Sequence, residues 1–145
     1  SINIKLDIPD WEIFFNFDRR LISQALINLI KNSSESIFLL HKNDNSGEIN
    51  ISLENKPEHV LIKIADNGTG FPKSDLDKLL EPYYTTREMW TGIGLSVVKN
   101  IIEVHKGDLN LKNDTTSDKT ISGAIVEIIL PKSLDSNSEK INDWK

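Results

Sequence analysis

The sequence predicts an α+β domain: a two-layer α/β sandwich, with a mixed, mainly antiparallel sheet of about five strands and about three main helices on one face. Two observations carry this. Residues 1–8 and 49–53 alternate apolar and polar, as strands with one buried face do. Residues 19–40 and 94–105 repeat apolar side chains at spacings of three and four, so each helix has one apolar stripe. One-sided strands and one-striped helices bury each other by packing as two layers.

Length and composition narrow the choice. The 145 residues predict a single folded domain over 1–132, followed by a polar tail or linker over 133–145 rich in serine, asparagine and lysine. No run reaches the ~18 apolar residues of a membrane span, and no signal peptide opens the chain. With no cysteine, neither a disulfide nor a thiolate metal site is possible. The net charge of −5 argues against a nucleic-acid surface. An acidic chain that binds an anion has to do so locally, with backbone amides, helix N-termini or a metal ion.

Taken in order, Ile2, Ile4, Leu6 and Ile8 share one face of a half-buried first strand. Pro9 and Asp10 turn the chain, and the aromatic run 11–17 fits a second short strand. Asp18 is placed as the N-cap of a helix from Arg19 to about residue 40, with Leu21, Ile22, Ala25, Leu26, Leu29, Ile30 and Ile37 apolar. After the polar loop 41–47, Ile49, Ile51 and Leu53 alternate as a strand. Lys56, Pro57 and Glu58 turn it into a hairpin with residues 60–65. That return strand is apolar on both faces at Leu61, Ile62 and Ile64, which predicts a central position, with Asp66 at its end. Residues 74–80 fit a short helix capped by Ser74, and 81–91 lack periodicity. The helix 94–105 turns Leu95, Val98, Ile101 and Ile102 inward, with Gly107 as its C′ residue. Strands at 109–111 and 124–130 flank a polar loop at 113–119, and Pro131 ends the last one.

Three constellations carry chemistry. Asn28 and Asn32 are four apart, so their amides share a helical face. Amide oxygens are hard ligands that suit Mg²⁺ beside phosphates and water; taken alone, the pair more often describes a polar helix edge. Asp66-Asn67-Gly68-Thr69-Gly70 follows a buried strand. It reads as turn chemistry, or as a carboxylate with glycines that let a flat ligand approach the backbone. A carboxylate accepts from an amine and repels a carbonyl, which selects adenine over guanine. Gly92-Ile93-Gly94-Leu95 opens a helix, whose exposed N–H groups suit phosphate, though the spacing of a P-loop or a dinucleotide fold is absent.

The series as a whole is more specific than its parts. Asn28-Leu29-Ile30-Lys31-Asn32, then Asp66–Gly70, then Glu81-Pro82-Tyr83-Tyr84-Thr85-Thr86-Arg87, then Thr91-Gly92-Ile93-Gly94-Leu95 resembles the histidine-kinase-type ATPase domain of the gyrase, heat-shock chaperone, histidine kinase and MutL superfamily, over residues 1–131. These stretches are similar to its N box, first glycine box, F box and second glycine box, and 123–131 to its last strand. The resemblance implies the ATP-binding fold of that superfamily, with ATP and Mg²⁺ as cofactors. It implies Asn32 as the Mg²⁺ ligand, Asn28 at the phosphates and Asp66 at the adenine amine. Gly68, Gly70, Thr86, Arg87, Gly92, Ile93, Gly94 and Leu95 complete the nucleotide site, with residues 83–91 as a lid that nucleotide orders. Tyr83 and Tyr84 stand where Phe is usual, Arg87 where Lys is common, Ile121 where another Gly is usual and Ala124 where Thr is common. Trp90 has no counterpart in the pattern.

Within the superfamily, the hydrolytic branches carry a glutamate where this chain has Asn28, whose amide cannot take a proton from water. The 81–87 run and short lid resemble two-component sensor kinases of the nitrogen-regulation type, which implies phosphoryl transfer from ATP to histidine with Asn28 and Asn32 as catalytic residues. His41, His59 and His105 are followed by Lys, Val and Lys, unlike a phosphoacceptor, and read as surface residues. The acceptor is therefore expected on a separate dimerisation domain, with a response regulator downstream. The isolated domain is expected to be a cytoplasmic monomer and its parent a homodimer, with the parent's membrane attachment open. An anti-sigma-type serine kinase and a nucleotide-sensing module without transfer are the alternatives.

Overall fold

The structure, a computed structural model, describes residues 1–11, 13, 15–42, 44–72, 76–81 and 94–132. Five strands form one sheet: β1 (Ile2–Asp7), β2 (Gly47–Asn55), β3 (His59–Asp66), β4 (Asp108–Thr115) and β5 (Ile121–Pro131), in the order β1-β2-β3-β5-β4. β1 runs parallel to β2 and every other pair is antiparallel, so the sheet is mixed and mainly antiparallel as expected. The doubly apolar strand β3 is central. Two helices, α1 (Arg19–His41) and α2 (Gly94–Val104), lie across the sheet.

The layer between them is the core. α1 presses Ile22, Ala25, Leu29 and Ile37 onto Ile49 of β2 and Ile62 and Ile64 of β3, while α2 adds Leu95, Val98, Ile101 and Ile102 over Val126, Ile128 and Leu130 of β5. The other sheet face mixes apolar Leu61, Ile125 and Ile129 with charged residues. On it Lys5 pairs with Glu48 at 3.2 Å and Lys112 with Glu127 at 2.9 Å.

Five details depart from the sequence reading. Ile4, Leu6 and Ile8 are exposed at 51, 64 and 51%, because α1 covers β2 and β3 and leaves the edge strand β1 outside its reach. The run 11–17 is not a strand in its described residues. Ile13, Phe15 and Phe17 still pack on the core, with the Phe15 and Phe17 rings stacked at 4.6 Å, but no neighbouring strand offers their backbone a ladder. The third helix is a 3₁₀ turn, Leu76–Leu80. β4 runs on to Thr115, through residues expected as loop. The left-handed residue after α2 is Lys106 (φ 58°), not Gly107. Lys106 N–H donates to Glu103 O and Gly107 N–H to Ile102 O, both at 2.9 Å, which closes a Schellman turn one residue earlier than expected.

Candidate functional site

Two openings flank α1 and meet at Asn32. The inner one is a narrow slot between α1, α2 and the sheet end, lined by Leu29, Asn32, Ser33, Ser36, Asp66, Gly70, Phe71, Leu95, Ala124 and Val126, with a cavity volume of about 20 Å³. The outer one is a wider cleft of about 250 Å³ between α1 and the start of α2, lined by Gln24, Asn28, Lys31, Asn32, Glu35, Gly94 and Val97. The slot is mainly apolar, while the cleft draws most of its lining from polar residues and mixes polar with apolar surface.

The helix period builds this split. The Asp18 carboxylate caps α1 by accepting from Leu21 N–H at 3.1 Å, which fixes the first turn. From there residues 22, 25, 29, 33 and 36 fall on the sheet side, and 24, 28, 32 and 35 on the flank toward α2. Asn28 and Asn32 are both half-buried on that flank, and Asn32, nearer the sheet, reaches both openings.

Asp66 ends β3 at the slot. Its Oδ1 accepts from Gly68 N–H at 2.9 Å, in its own turn, and from Ala124 N–H at 3.3 Å, across from β5. Backbone amides of two elements thus fix the carboxylate's position. Gly123 makes this approach possible, since a Cβ there would collide with Asp66 O. Gly68 does not line the slot. A Cβ on it would strike Ser36 Oγ and come within 2.8 Å of Ile37 N, so its bare backbone seats the turn against α1. Gly70 does line the slot, in a left-handed conformation with φ 77°.

Several residues that sequence reasoning passed over hold this geometry. Ser36 Oγ accepts from Thr69 N–H at 2.9 Å and lies 3.1 Å from Thr69 Oγ1. Asn113 of β4 clasps Phe71 from both sides: its Oδ1 accepts from Phe71 N–H at 2.6 Å and its Nδ2 donates to Phe71 O at 3.0 Å. Asn67 extends the β2–β3 pairing, accepting from Glu48 N–H and donating to Ser46 O, each at 2.8 Å. His41 and His105 are half-buried, and both ring nitrogens of each are engaged, which corrects their reading as surface residues. His41 Nε2 lies 2.7 Å from Asn67 O and its Nδ1 2.7 Å from Ser46 Oγ. His105 Nε2 accepts from Asp18 N–H at 2.9 Å and its Nδ1 lies 2.8 Å from Ile101 O, so this ring ties the start of α1 to the end of α2. Ser33 and Ser36 gave a usable signal, as polar residues at core positions of an amphipathic helix; Asn113 and the histidines gave none.

Of the residues expected at the site, Asn32, Asp66, Gly70 and Leu95 line the slot, and Asn28, Asn32 and Gly94 the cleft. Thr86, Arg87, Gly92 and Ile93, with the expected lid 83–91 and Trp90, lie outside the described residues. Chemically, an apolar slot with one fixed carboxylate suits a flat ring that presents an amine, and an adjoining polar cleft with amides suits a polyphosphate.

The family described as histidine kinase-, DNA gyrase B- and HSP90-like ATPase matches residues 17–134. The chain belongs to this ATPase family. Nitrogen regulation protein NtrY of Azorhizobium caulinodans is 46% identical over 98 residues, which are 67% of this chain and 13% of that protein. An NtrY-like sensor histidine kinase of Rickettsia conorii is 35% identical over 128 residues, 88% of this chain and 20% of that protein. The catalytic domain of the histidine kinase ThkA superposes with a TM-score of 0.75 at 28% identity, over 90% of this chain and 79% of that one. The resemblance read from the motif series therefore holds, for the ATPase family and for its likeness to nitrogen-regulation sensor kinases. The chain spans no more than a fifth of the length of these two relatives. No helix among its described residues is long and apolar enough to cross a membrane.

Proposed function

We propose that this ATPase domain binds Mg-ATP and transfers the γ-phosphate to a histidine on a separate dimerisation domain, which in turn phosphorylates a response regulator. The observation that carries the reading is the position of Asn32, at the junction of a slot that holds Asp66 and a cleft that holds Asn28. Adenine would enter the slot with its exocyclic amine at Asp66, and the phosphates would leave past Asn32 into the cleft, toward the start of α2. The domain would occupy 1–132, as the catalytic part of a longer, homodimeric sensor kinase.

The residues present fit a magnesium ion. Among the described residues no three His, Cys, Asp or Glu side chains gather into a site of their own. One hard amide oxygen, from Asn32, suits an ion that keeps phosphate oxygens and water for its other positions. When bound, Mg²⁺ would neutralise charge on the phosphates. Asn28 would position the phosphate chain from one helical turn away. An amide at position 28 takes no proton from water, which favours transfer over hydrolysis. Two of the three described histidines support an outside acceptor: the rings of His41 and His105 are both engaged in structural hydrogen bonds.

The test is Asn32→Ala. Phosphotransfer to a supplied histidine hairpin at saturating Mg-ATP is expected to fall by about 100-fold or more, the size of loss typical when a group that acts on transition-state charge is removed. Binding of a fluorescent ATP analogue without magnesium is expected to change only a few-fold, because Asp66 still holds the base. Wild-type transfer by Asn32→Ala would show that the metal assignment is wrong.

A further inference from the structure

Ser33 occupies a core position of α1, four residues after Leu29 and three before Ser36, and is 5% exposed. Its neighbours on the helix have settled their hydroxyls. Ser34 Oγ donates to Ile30 O at 2.9 Å, and Ser36 Oγ takes Thr69 N–H. The Ser33 hydroxyl has no hydrogen-bond partner among the described residues, although the carbonyl one turn back is the usual acceptor for a helical serine. A buried hydroxyl without a partner is destabilising, and alanine would form the helix better and leave nothing unsatisfied.

The hydroxyl belongs to the lining of the slot. Across from it the β5 wall offers only the apolar side chains of Ala124 and Val126, and α2 offers Leu95. Of the polar side chains that line the slot, Ser36 is engaged with Thr69 and Asn32 opens to the cleft. Ser33 is left as a donor in an apolar space that it shares with Asp66.

We infer that Ser33 is a base-recognition residue: its hydroxyl donates to a ring nitrogen of the adenine whose amine Asp66 accepts. This rests on the proposed binding of ATP in the slot. Adenine carries an acceptor nitrogen on either side of its amine, N1 and N7, so a donor that shares the slot with the amine-binding carboxylate meets one of them. Without nucleotide the hydroxyl lowers the stability of the domain; with nucleotide it raises affinity. A residue kept against the preference of its own helix in this way marks a functional position.

Ser33→Ala separates this from a packing role, because the two expected effects have opposite signs. The ligand-free domain is expected to melt a few degrees higher, while ATP affinity by calorimetry falls about tenfold, as for one lost hydrogen bond to a ligand. Against 1-deaza-ATP and 7-deaza-ATP, the wild-type domain is expected to bind one analogue about tenfold more weakly than ATP, and Ser33→Ala to bind that analogue and ATP alike. Unchanged ATP affinity would overturn the inference. So would an equal loss for ATP and both analogues, or a lower melting temperature, since each makes Ser33 a shaper of the slot. A wild-type domain that binds no ATP would instead overturn the proposed function itself.

Discussion

The slot and the outer cleft share Asn32, yet they are built by different means. The slot is made by backbone. Its carboxylate is held by two amide N–H groups, its floor by a strand that passes Asp66 with no side chain between, and its Phe71 rim by both atoms of one asparagine amide. The cleft is made by side chains on one helix flank, and exposed Lys31 and half-buried Glu35 stand in it at helical spacing. Fixed backbone recognises a ring of one shape, whereas a flank of long polar side chains can adapt to a flexible charged chain. Substitutions in the slot should therefore disturb the fold and specificity together, and those in the cleft should leave the fold untouched.

The largest effect that would sharpen this contrast is expected from Gly123→Ala. The new Cβ collides with Asp66 O at a φ of 145°, so backbone must move. A loss of about 3 kcal/mol is expected, near the upper end of overpacking and backbone strain, read by urea denaturation together with loss of ATP binding. Near wild-type stability would mean that β5 is not held against Asp66. Next comes Asp66→Asn. The amide can present a donor to the adenine amine and lacks the charge, so ATP binding should weaken by about 1.5–3 kcal/mol in a fluorescent-analogue titration. Equal affinities would make Asp66 a turn residue only. The smallest effect is expected from Lys31→Gln in the cleft. Chemical denaturation should move by no more than about 0.5 kcal/mol. ATP affinity should drop about two- to threefold at low salt, and the difference from wild type should vanish at high salt, as for an exposed charge. A stability loss as large as that of Gly123→Ala would end the distinction.

Much of the site was legible because its spacing is that of a helix. Asn28 and Asn32 had to share a face once 19–40 was read as α1, and Asp66 had to sit at a sheet end once 60–65 was read as β3. What the sequence did not disclose depends on contacts between distant segments. Gly68 reads as room for a ligand, but its missing side chain is required by Ser36, which lies on another element. The alternation of Ile4, Leu6 and Ile8 marks a strand face without saying whether a helix reaches it, and α1 does not. The run 11–17 has strand-like alternation, but its described residues have no partner strand among the described residues. His105 and Asp18 meet across 87 positions, a pairing that no local pattern carries.

The placement of β5 between β3 and β4 also decides when the site can exist. β3 meets β2 around a tight turn, but its other edge is satisfied only by β5, with Ala65 opposite Ile125 and His59 opposite Pro131. As the chain leaves the ribosome, α1 and its two asparagines emerge early, while β3 keeps a bare edge until the last described strand has been made. Closing such a long loop is slow, and Asp66 lacks its Ala124 partner until it closes. A nascent chain halted before Ile121 would carry Asn28, Asn32 and Asp66 and still have no floor beneath the slot. The capacity to hold a nucleotide is thus acquired in one late step, when the final strand slides into the middle of the sheet.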